Sequence, residues 1–283
     1  MLINGRHQDW VFAQDRGMQY GDGLFETIAV RDGRPCLWRE HLARFASGAD
    51  RLGIPLPGTR LLQRESRTVI GAARRGVLKL TLTRGMGGRG YRPPPRPTPT
   101  RMVAFHPWPS YPTSWSRQGV SAISCRTRLG ENRALAGIKH LNRLEQVLAR
   151  AEWSDPAIAE GILRDTSDRV VEATMSNLFL WTGKRLLTPQ LERCGVRGLV
   201  RDLVLQIATE QGIPAAETVV RHADLTAAEA LFLTNSLIGV WPVVRFDGRE
   251  KDTRALPATL LEAVRQRVFA PDPAFAMPLA EGG

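Results

Sequence analysis

The sequence predicts an α+β protein made of two domains. Its 283 residues are enough to build two ordinary hydrophobic cores. Patterns typical of strands and of helices occur in both halves of the chain, and a segment containing Pro, Ser and Thr, Pro107–Arg117, separates them. We therefore place one domain at residues 1–112 and a second at residues 118–270, and we expect residues 271–283 to form a disordered tail.

The composition is typical of a soluble globular protein, with 43% hydrophobic and 24% charged residues. Apolar runs are too short to span a bilayer and the first residues lack the design of a signal peptide, so we expect a cytoplasmic protein. The three cysteines, Cys36, Cys125 and Cys194, are far apart and odd in number, which favours reduced thiols over a disulfide framework or a zinc site. The five histidines are too scattered for a metal site.

The net charge of +11 raises the question of nucleic-acid binding. The arginines are spread along the whole chain, with no basic block and no interleaved aromatic platform of the kind that single-strand binders use. This even distribution of the arginines argues against a nucleic-acid partner. The net positive charge would still favour a small anionic substrate.

The first half predicts a sheet with two helices. The elements are a hairpin over 1–12 turned at Asn4-Gly5, a strand at 24–30 that returns through Cys36 and Leu37, a helix from Trp38 that ends before Pro55, a helix at 59–74, and strands at 77–83 and 102–108. The segment at 84–91 holds four glycines and two arginines, which is weak evidence for anything beyond a turn. The proline-rich stretch at 92–99 should be an exposed, semi-rigid extension.

The second half of the chain also contains both strand patterns and helix patterns. It predicts a strand at 119–128, a loop that leads to Lys139, a helix at 141–153, strands at 160–165 and 170–180 joined by a polar turn, a strand at 184–187, and a helix at 199–209.

Lys139 is the residue around which we interpret the chain. Only four of the 39 basic residues are lysines, so a residue needed for charge alone would most often have been arginine. An amine can lose its proton and form a Schiff base with an aldehyde, whereas a guanidinium cannot. On spacing alone, an ordinary lysine at the start of a helix remains the alternative.

Four further features are candidates for a binding site, and each of them also has an ordinary structural explanation. Arg44 shares a helix face with His41 and Gly48, where it could bind an anion or lie in solvent. Glu172 stands in an apolar strand, although most strand glutamates face water. The segment 194–198 precedes a helix whose N-terminus could bind phosphate or be only a glycine-rich start. Ser236 follows an apolar strand, where polar groups need partners.

Four motifs along the chain carry a family resemblance. They are Gly21–Ile28, Thr83–Tyr91, Gly137–Glu145 and Glu172–Asn177. In this order and with few gaps they resemble the fold-type IV pyridoxal-phosphate enzymes, the superfamily of branched-chain and D-amino acid aminotransferases. The Lys-His-Leu-Asn-Arg run and the Gly-Gly-Arg-Gly-Tyr loop are similar to its lyase branch.

The resemblance implies a smaller N-terminal α/β sandwich, a larger C-terminal pseudo-barrel domain and pyridoxal 5'-phosphate in the cleft of a homodimer. The implied activity is cleavage of 4-amino-4-deoxychorismate to 4-aminobenzoate and pyruvate in folate biosynthesis. A fold-type IV aminotransferase acting on D- or branched-chain amino acids is one alternative. A cofactor-free binding protein of the same fold is the other.

The resemblance also implies roles for individual residues. Lys139 would carry the cofactor as a Schiff base and transfer protons, Thr27 would assist, and Glu172 would face the pyridine nitrogen. Arg89 and Tyr91 would contact a substrate carboxylate. The phosphate would be bound by Arg44, Ser176, Asn177 and Ser236 and by the backbone amides of Val196 and Arg197. Glu26 departs from lyases that have threonine at this position and is similar to the aminotransferases.

Overall fold

The computed structural model describes residues 1–275 of the chain, which divide into two compact units. The first comprises Met1–Pro109, Lys139–Asn142 and 269–275, and the second comprises Ser110–Ile138 and Arg143–Val268. Lys139 thus belongs to the first unit, although the chain on either side of its short segment belongs to the second.

The first unit is a six-stranded antiparallel sheet with helices. Its strands are β1 (Leu2–Ile3), β2 (Arg6–His7), β3 (Gly23–Arg31), β4 (Arg34–Pro35), β5 (Arg75–Thr83) and β6 (Thr100–His106), in the order β2-β1-β6-β5-β3-β4. Its helices are α1 (Arg16–Tyr20), α2 (Trp38–Leu52) and α3 (Thr59–Ile70). The β3–β4 turn at Asp32-Gly33 has positive φ at both positions, 48° and 74°, as a tight hairpin requires.

Side-chain alternation along β5 divides the two faces of this sheet. Leu78, Leu80 and Leu82 are buried in the core with apolar residues of α2 and α3. Lys79 and Thr81 point to the other face. The sequence pattern thus predicted both the strand and its orientation.

The second unit is a ten-stranded mixed sheet that curves on itself. The strands are β7 (Val120–Leu129), β8 (Ile158–Asp165), β9 (Arg169–Ala173), β10 (Asn177–Trp181), β11 (Leu186–Pro189), β12 (Ala215–Thr218), β13 (Val220–Arg221), β14 (Ala230–Asn235), β15 (Gly239–Phe246) and β16 (Arg249–Glu250). Their order is β12-β11-β10-β14-β15-β7-β8-β9-β13, with β16 added to β15. Because β9 also packs against β10, six strands form an incompletely closed barrel, as expected for the larger domain.

Five helices accompany this sheet in the second unit. They are α4 (Ser114–Gln118), α5 (Leu144–Arg150), α6 (Leu199–Glu210), α7 (His222–Ala227) and α8 (Ala258–Val268). In residues 1–275 no helix is both long and apolar enough to cross a membrane.

Four predicted segments differ from the structure. The helix expected at 141–153 is restricted to α5, because the 139–141 segment is extended and pairs with the start of β3 instead of turning into a helix. The helix expected at 59–74 ends at Ile70, where Gly71 has a φ of 53°. The strand expected at 170–180 is interrupted at 174–176, and α4 lies within the segment expected as a linker.

The start of the expected disordered tail, residues 271–275, is ordered. Asp272 donates its N–H to the Pro35 carbonyl at 3.0 Å, and a 3₁₀ turn spans Pro273–Phe275. The Phe275 ring is buried and meets the Trp38 ring edge-on, with centroids 5.2 Å apart. Burying a large aromatic side chain outweighs the entropy of ordering this short segment. The rest of the expected tail, 276–283, lies outside the described residues.

We expect Phe275→Ala to lower the free energy of unfolding by about 3 kcal/mol, because it leaves a cavity beside Trp38. Urea denaturation followed by tryptophan fluorescence measures this change. Pro273→Ala, at an exposed position two residues earlier, is the matched control and should change stability by less than about 0.5 kcal/mol. Equal midpoints for Phe275→Ala and the wild type would contradict the packing described above.

Candidate active site

Lys139 lies beside the first residues of β3, in a segment without helical structure. Phe25 donates its N–H to the Lys139 carbonyl at 3.0 Å, and Leu141 donates to the Gly23 carbonyl at 2.9 Å. The Lys139 Nζ lies 4.4 Å from the centroid of the Phe25 ring. The sequence predicted Lys139 in a loop just before a helix and off its solvated face, and the structure adds that this segment pairs with the edge of β3.

Thr27 lies on the same face of β3 as Phe25, two residues further along the strand. Its partner across the β3–β5 ladder is Lys79, whose Nζ lies 5.6 Å from the Phe25 ring centroid. A hydroxyl and two amines are therefore grouped around Phe25. The sequence did not single out Lys79, because alternation with buried leucines is equally typical of a solvated strand lysine.

Glu26, on the opposite face of β3, forms a buried cluster with two residues of α2. Arg44 donates from Nε to Oε1 at 2.8 Å and from Nη2 to Oε2 at 2.6 Å, and His41 Nδ1 lies 2.6 Å from Oε2. Burial raises the pKa of Glu26, but the Arg44 charge and the His41 contacts outweigh it and lower that pKa to about 2. The ion pair fixes the plane of the Arg44 guanidinium, which suits a role in binding an anion.

Burial favours the neutral form of His41 in this cluster. Burial lowers the pKa of its imidazole, and its Nε2 is enclosed without a hydrogen-bond partner in the part of the chain that the structure describes. The proton therefore resides on Nδ1, which donates to Glu26. The sequence placed His41 and Arg44 on one helix face but could not reveal their shared carboxylate.

Arg89 and Tyr91 lie in the loop between β5 and β6 and are exposed. The Tyr91 ring lies 5.4 Å from the Tyr20 ring of α1. Exposure leaves both side chains accessible to a ligand within the first unit. Their assignment to a substrate carboxylate stays a prediction.

Glu172 of β9, in the second unit, is 5% exposed, which excludes the alternative that it faces water. Its Oε2 accepts the Val196 N–H at 2.8 Å, and Gln146 Nε2 lies 3.4 Å from its Oε1. A buried carboxylate of this kind suits a cationic ring nitrogen, and its charge also acts on the Arg143 guanidinium, whose pKa it raises against the effect of burial.

The backbone amides expected to bind a phosphate already have acceptors within the second unit. Val196 donates to Glu172, and Arg197 donates its N–H to the Gly137 carbonyl at 3.2 Å. Asn177 Nδ2 donates to the Val196 carbonyl at 2.9 Å, so this side chain holds the loop in front of α6. A phosphate role for these three residues stays a prediction. Gly198, the residue immediately before the first turn of α6, offers no side-chain cap.

Ser176 contacts a buried carboxylate that the sequence did not single out. Glu160 of β8 is fully buried, and it accepts hydrogen bonds from Ser176 Oγ at 2.6 Å, from the Met175 N–H at 3.2 Å and from the Thr174 hydroxyl. Burial raises the pKa of Glu160. Glu160 therefore shapes the turn between Glu172 and Asn177. A glutamate near a strand start carries no signal that would have revealed this.

Ser236 lies in the turn between β14 and β15 and is half-buried. The neighbouring Asn235 donates from Nδ2 to the Met175 carbonyl at 3.1 Å, so this turn adjoins the turn that contains Ser176. The second unit therefore brings Ser176 and Ser236 into one region, whereas the roles of both in binding phosphate stay predictions.

Comparison with known proteins identifies the family. Residues 23–246 match the sequence profile described as Amino-transferase class IV. The chain belongs to the class IV aminotransferase family. Its similarity to the aminodeoxychorismate lyase of Vibrio harveyi is 35% identity over 241 residues, covering 85% of this chain and 89% of that protein.

Two solved structures of class IV aminotransferase relatives share the fold. The 4-amino-4-deoxychorismate lyase of Pseudomonas aeruginosa is 45% identical, with a TM-score of 0.87 that covers 94% of this chain and 97% of the other. A hypothetical aminotransferase of Mycobacterium tuberculosis in its PLP-bound form is 25% identical, with a TM-score of 0.80 and coverage of 94% and 95%.

The cysteines and the possible metal ligands of residues 1–275 do not group into a site. All three cysteines are buried free thiols, and burial raises the pKa of each to about 12. Among residues 1–275, no cluster of three or more His, Cys, Asp or Glu residues could hold a metal ion.

We expect Glu26→Gln to destabilise the protein by about 3 kcal/mol at pH 7, because the substitution leaves the Arg44 charge without its carboxylate. A folded-state pKa of about 2, below the ordinary value of 4.5, means that Glu26 contributes this stability above pH 4.5 and loses it as the pH falls towards 2. Urea midpoints at pH 7, 5 and 3 should therefore differ less between variant and wild type at pH 3.

The control for this series is Glu40→Gln, which removes an exposed carboxylate from the first turn of α2. Its effect should stay within about 0.5 kcal/mol. A difference between Glu26→Gln and wild type that is the same at all three pH values would contradict the ionised state of Glu26.

Proposed function

We propose that this protein is a pyridoxal-phosphate-dependent lyase that converts 4-amino-4-deoxychorismate to 4-aminobenzoate and pyruvate, a step of folate biosynthesis in the cytoplasm. The observation that carries the proposal is the Lys139 amine held against Phe25 at the start of β3. Similarity to two lyases that act on aminodeoxychorismate supports the choice of substrate.

The groups present suit pyridoxal phosphate. The Lys139 amine would hold its aldehyde, the buried carboxylate of Glu172 would pair with its ring nitrogen, and the uncapped start of α6 is a chemical match for a phosphate. Arg44 would add a cation for that phosphate, its guanidinium plane being fixed by Glu26. When bound, the cofactor draws electrons away from the substrate carbon that carries nitrogen.

Lys139 would be the base and acid of the reaction. Its freed Nζ would remove the proton from the carbon that carries nitrogen. Thr27 supplies a hydroxyl on the same strand face and would assist the proton transfer. The same amine would then protonate the departing enol, which becomes pyruvate. Formation of an aromatic ring supplies much of the driving force, so positioning is the main contribution of the protein.

The substrate carries two carboxylates, since each of the two products carries one. Arg89 and Tyr91, exposed on their loop, would contact one of them. The net charge of +11 adds a long-range attraction for such an anion.

We infer that the protein is a homodimer. Leu144, Val147 and Leu148 of α5 are 76%, 60% and 61% exposed and recur at helical spacing. An apolar helix face of this kind is typical of a surface covered in an assembly. Sedimentation of the purified protein measures the assembly directly.

An aminotransferase is the second candidate function. The observation in its favour is Glu26, which stands where some lyases have threonine and is engaged with Arg44. Such an enzyme would use the same Lys139 and Glu172 but would return the proton to the cofactor.

We expect purified protein supplied with pyridoxal phosphate and 4-amino-4-deoxychorismate to release 4-aminobenzoate and pyruvate in equal amounts. Liquid chromatography measures the first product, and lactate dehydrogenase coupling measures the second. Parallel reactions with D-alanine and leucine test the second candidate. A ready half-reaction with either amino acid, without 4-aminobenzoate from aminodeoxychorismate, would assign the protein to the aminotransferases.

We expect Lys139→Ala to reduce turnover by roughly 10²–10⁴-fold or more, because the amine that moves protons is lost. Borohydride reduction followed by peptide mapping should find a pyridoxyl group on Lys139 of the wild type and none on the variant. Lys184→Ala removes an exposed amine elsewhere and should behave as wild type. Labelling of Lys79 or Lys184 in the wild type, with Lys139 unlabelled, would refute the role of Lys139.

A further inference from the structure

Arg16 is a buried arginine that the proposed reaction does not use. It is 3% exposed, and its side chain donates to three successive backbone carbonyls of the loop between β5 and β6. Nη1 lies 3.1 Å from the Gly90 oxygen and 3.5 Å from the Arg92 oxygen, and Nη2 lies 3.0 Å from the Tyr91 oxygen. The carbonyls on both sides of the Tyr91 side chain are therefore bonded to one guanidinium.

The same guanidinium is anchored on its other edge. Its Nε donates to Asp22 Oδ2 at 2.8 Å. The Asp22 carboxylate also accepts hydrogen bonds from Arg84 Nε at 2.8 Å and from Arg84 Nη2 at 3.0 Å. Arg84 in turn donates to the Leu52 and Gly53 carbonyls at the end of α2, at 2.7 and 2.8 Å. Burial raises the pKa of Asp22, but the two arginines outweigh it, so that pKa lies below its ordinary value and the carboxylate stays charged.

Close packing adds to these hydrogen bonds. The Arg16 guanidinium carbon lies 4.9 Å from the Tyr20 ring centroid, and the Arg16 N–H donates to the Gly85 carbonyl at 2.9 Å. A Cβ at Gly87 would lie 2.8 Å from Arg16 Cδ, whereas a Cβ at Gly88 would meet nothing within 4 Å. The loop thus touches Arg16 at Gly87 and is open one residue later.

We propose that Arg16 is a positioning residue that holds residues 85–92 in the place where Arg89 and Tyr91 meet a substrate carboxylate. The role at the substrate rests on the proposed function. A loop with glycines at 85, 87, 88 and 90 loses much backbone entropy when it becomes ordered. If Arg16 already holds the loop before the substrate arrives, this entropy is not lost on binding, and the affinity for substrate is higher. The fork of a guanidinium can reach successive carbonyls and a carboxylate together, which a lysine amine cannot do in this geometry.

Trypsin can report the freedom of this loop without cofactor or substrate. Arg92 and Arg96 precede prolines and resist the protease, so Arg89-Gly90 is the cleavable bond between residues 85 and 100. We expect Arg16→Met to speed cleavage at this bond by roughly tenfold or more, because the three carbonyls are released. Gly87→Ala should also speed it, whereas Gly88→Ala, the matched control, should be cleaved at the wild-type rate.

Kinetics test the consequence at the substrate. Arg16→Met and Gly87→Ala should raise KM for aminodeoxychorismate by roughly tenfold and change kcat by less than about threefold. After borohydride reduction, both variants should carry a pyridoxyl group on Lys139, as the wild type does. Arg16→Lys should recover little, since it lacks the fork. Gly88→Ala should keep the wild-type KM.

The outcomes distinguish a failure of the positioning role of Arg16 from a failure of the proposed lyase function. Wild-type cleavage rates in both Arg16→Met and Gly87→Ala would refute the positioning role, and faster cleavage with an unchanged KM would refute its link to substrate. If Arg16→Met fails to fold, Gly87→Ala decides. If the wild type makes no 4-aminobenzoate, the proposed function fails, while the proteolysis still decides whether Arg16 holds the loop.

Discussion

Two backbone hydrogen bonds, from the Phe25 N–H to the Lys139 carbonyl and from the Leu141 N–H to the Gly23 carbonyl, determine where the Lys139 amine lies. They form because β4 pairs only with the far end of β3, which leaves the edge at its start available to the 139–141 segment. The approach is close: a Cβ at residue 23 would lie 2.4 Å from the Leu82 oxygen and 2.8 Å from Leu141 Cδ1. Glycine at 23 is therefore a requirement for placing Lys139, and a strand edge holds an amine more rigidly than a loop would.

Four arginines of this chain connect other parts of the fold through several hydrogen bonds each. Arg16, Arg44 and Arg84 each bond two or more acceptors within the first unit. In the second unit Arg201, 1% exposed, donates to the Pro189 carbonyl and to Glu217. A guanidinium suits this work because its five donors point in fixed directions. A high arginine content therefore does not by itself indicate a nucleic-acid surface.

The spacing of apolar residues predicted those helices and strands whose buried face is specified by their own residues. The apolar stripe of α2 and the alternation of β5 each specify a buried face without reference to the rest of the chain. Beyond Lys139 the apolar spacing predicted a helix, which is α5, but it did not predict that Leu144, Val147 and Leu148 of this helix are exposed in the single chain. It also missed the break at 174–176, because Glu160 collects hydroxyl and amide donors there that a continuous strand would direct elsewhere.

The sequence by itself determined the chemistry available to this protein: a rare lysine outside a helix, a glutamate in an apolar strand, an arginine beside a small residue and a glycine-rich loop. Only the tertiary structure decided which groups those residues meet. Arg16 reaches a carbonyl 75 positions away, and Glu26 reaches Arg44 across 18. Such contacts depend on the register between strands and on how helices pack against them. These are long-range properties that no local spacing encodes.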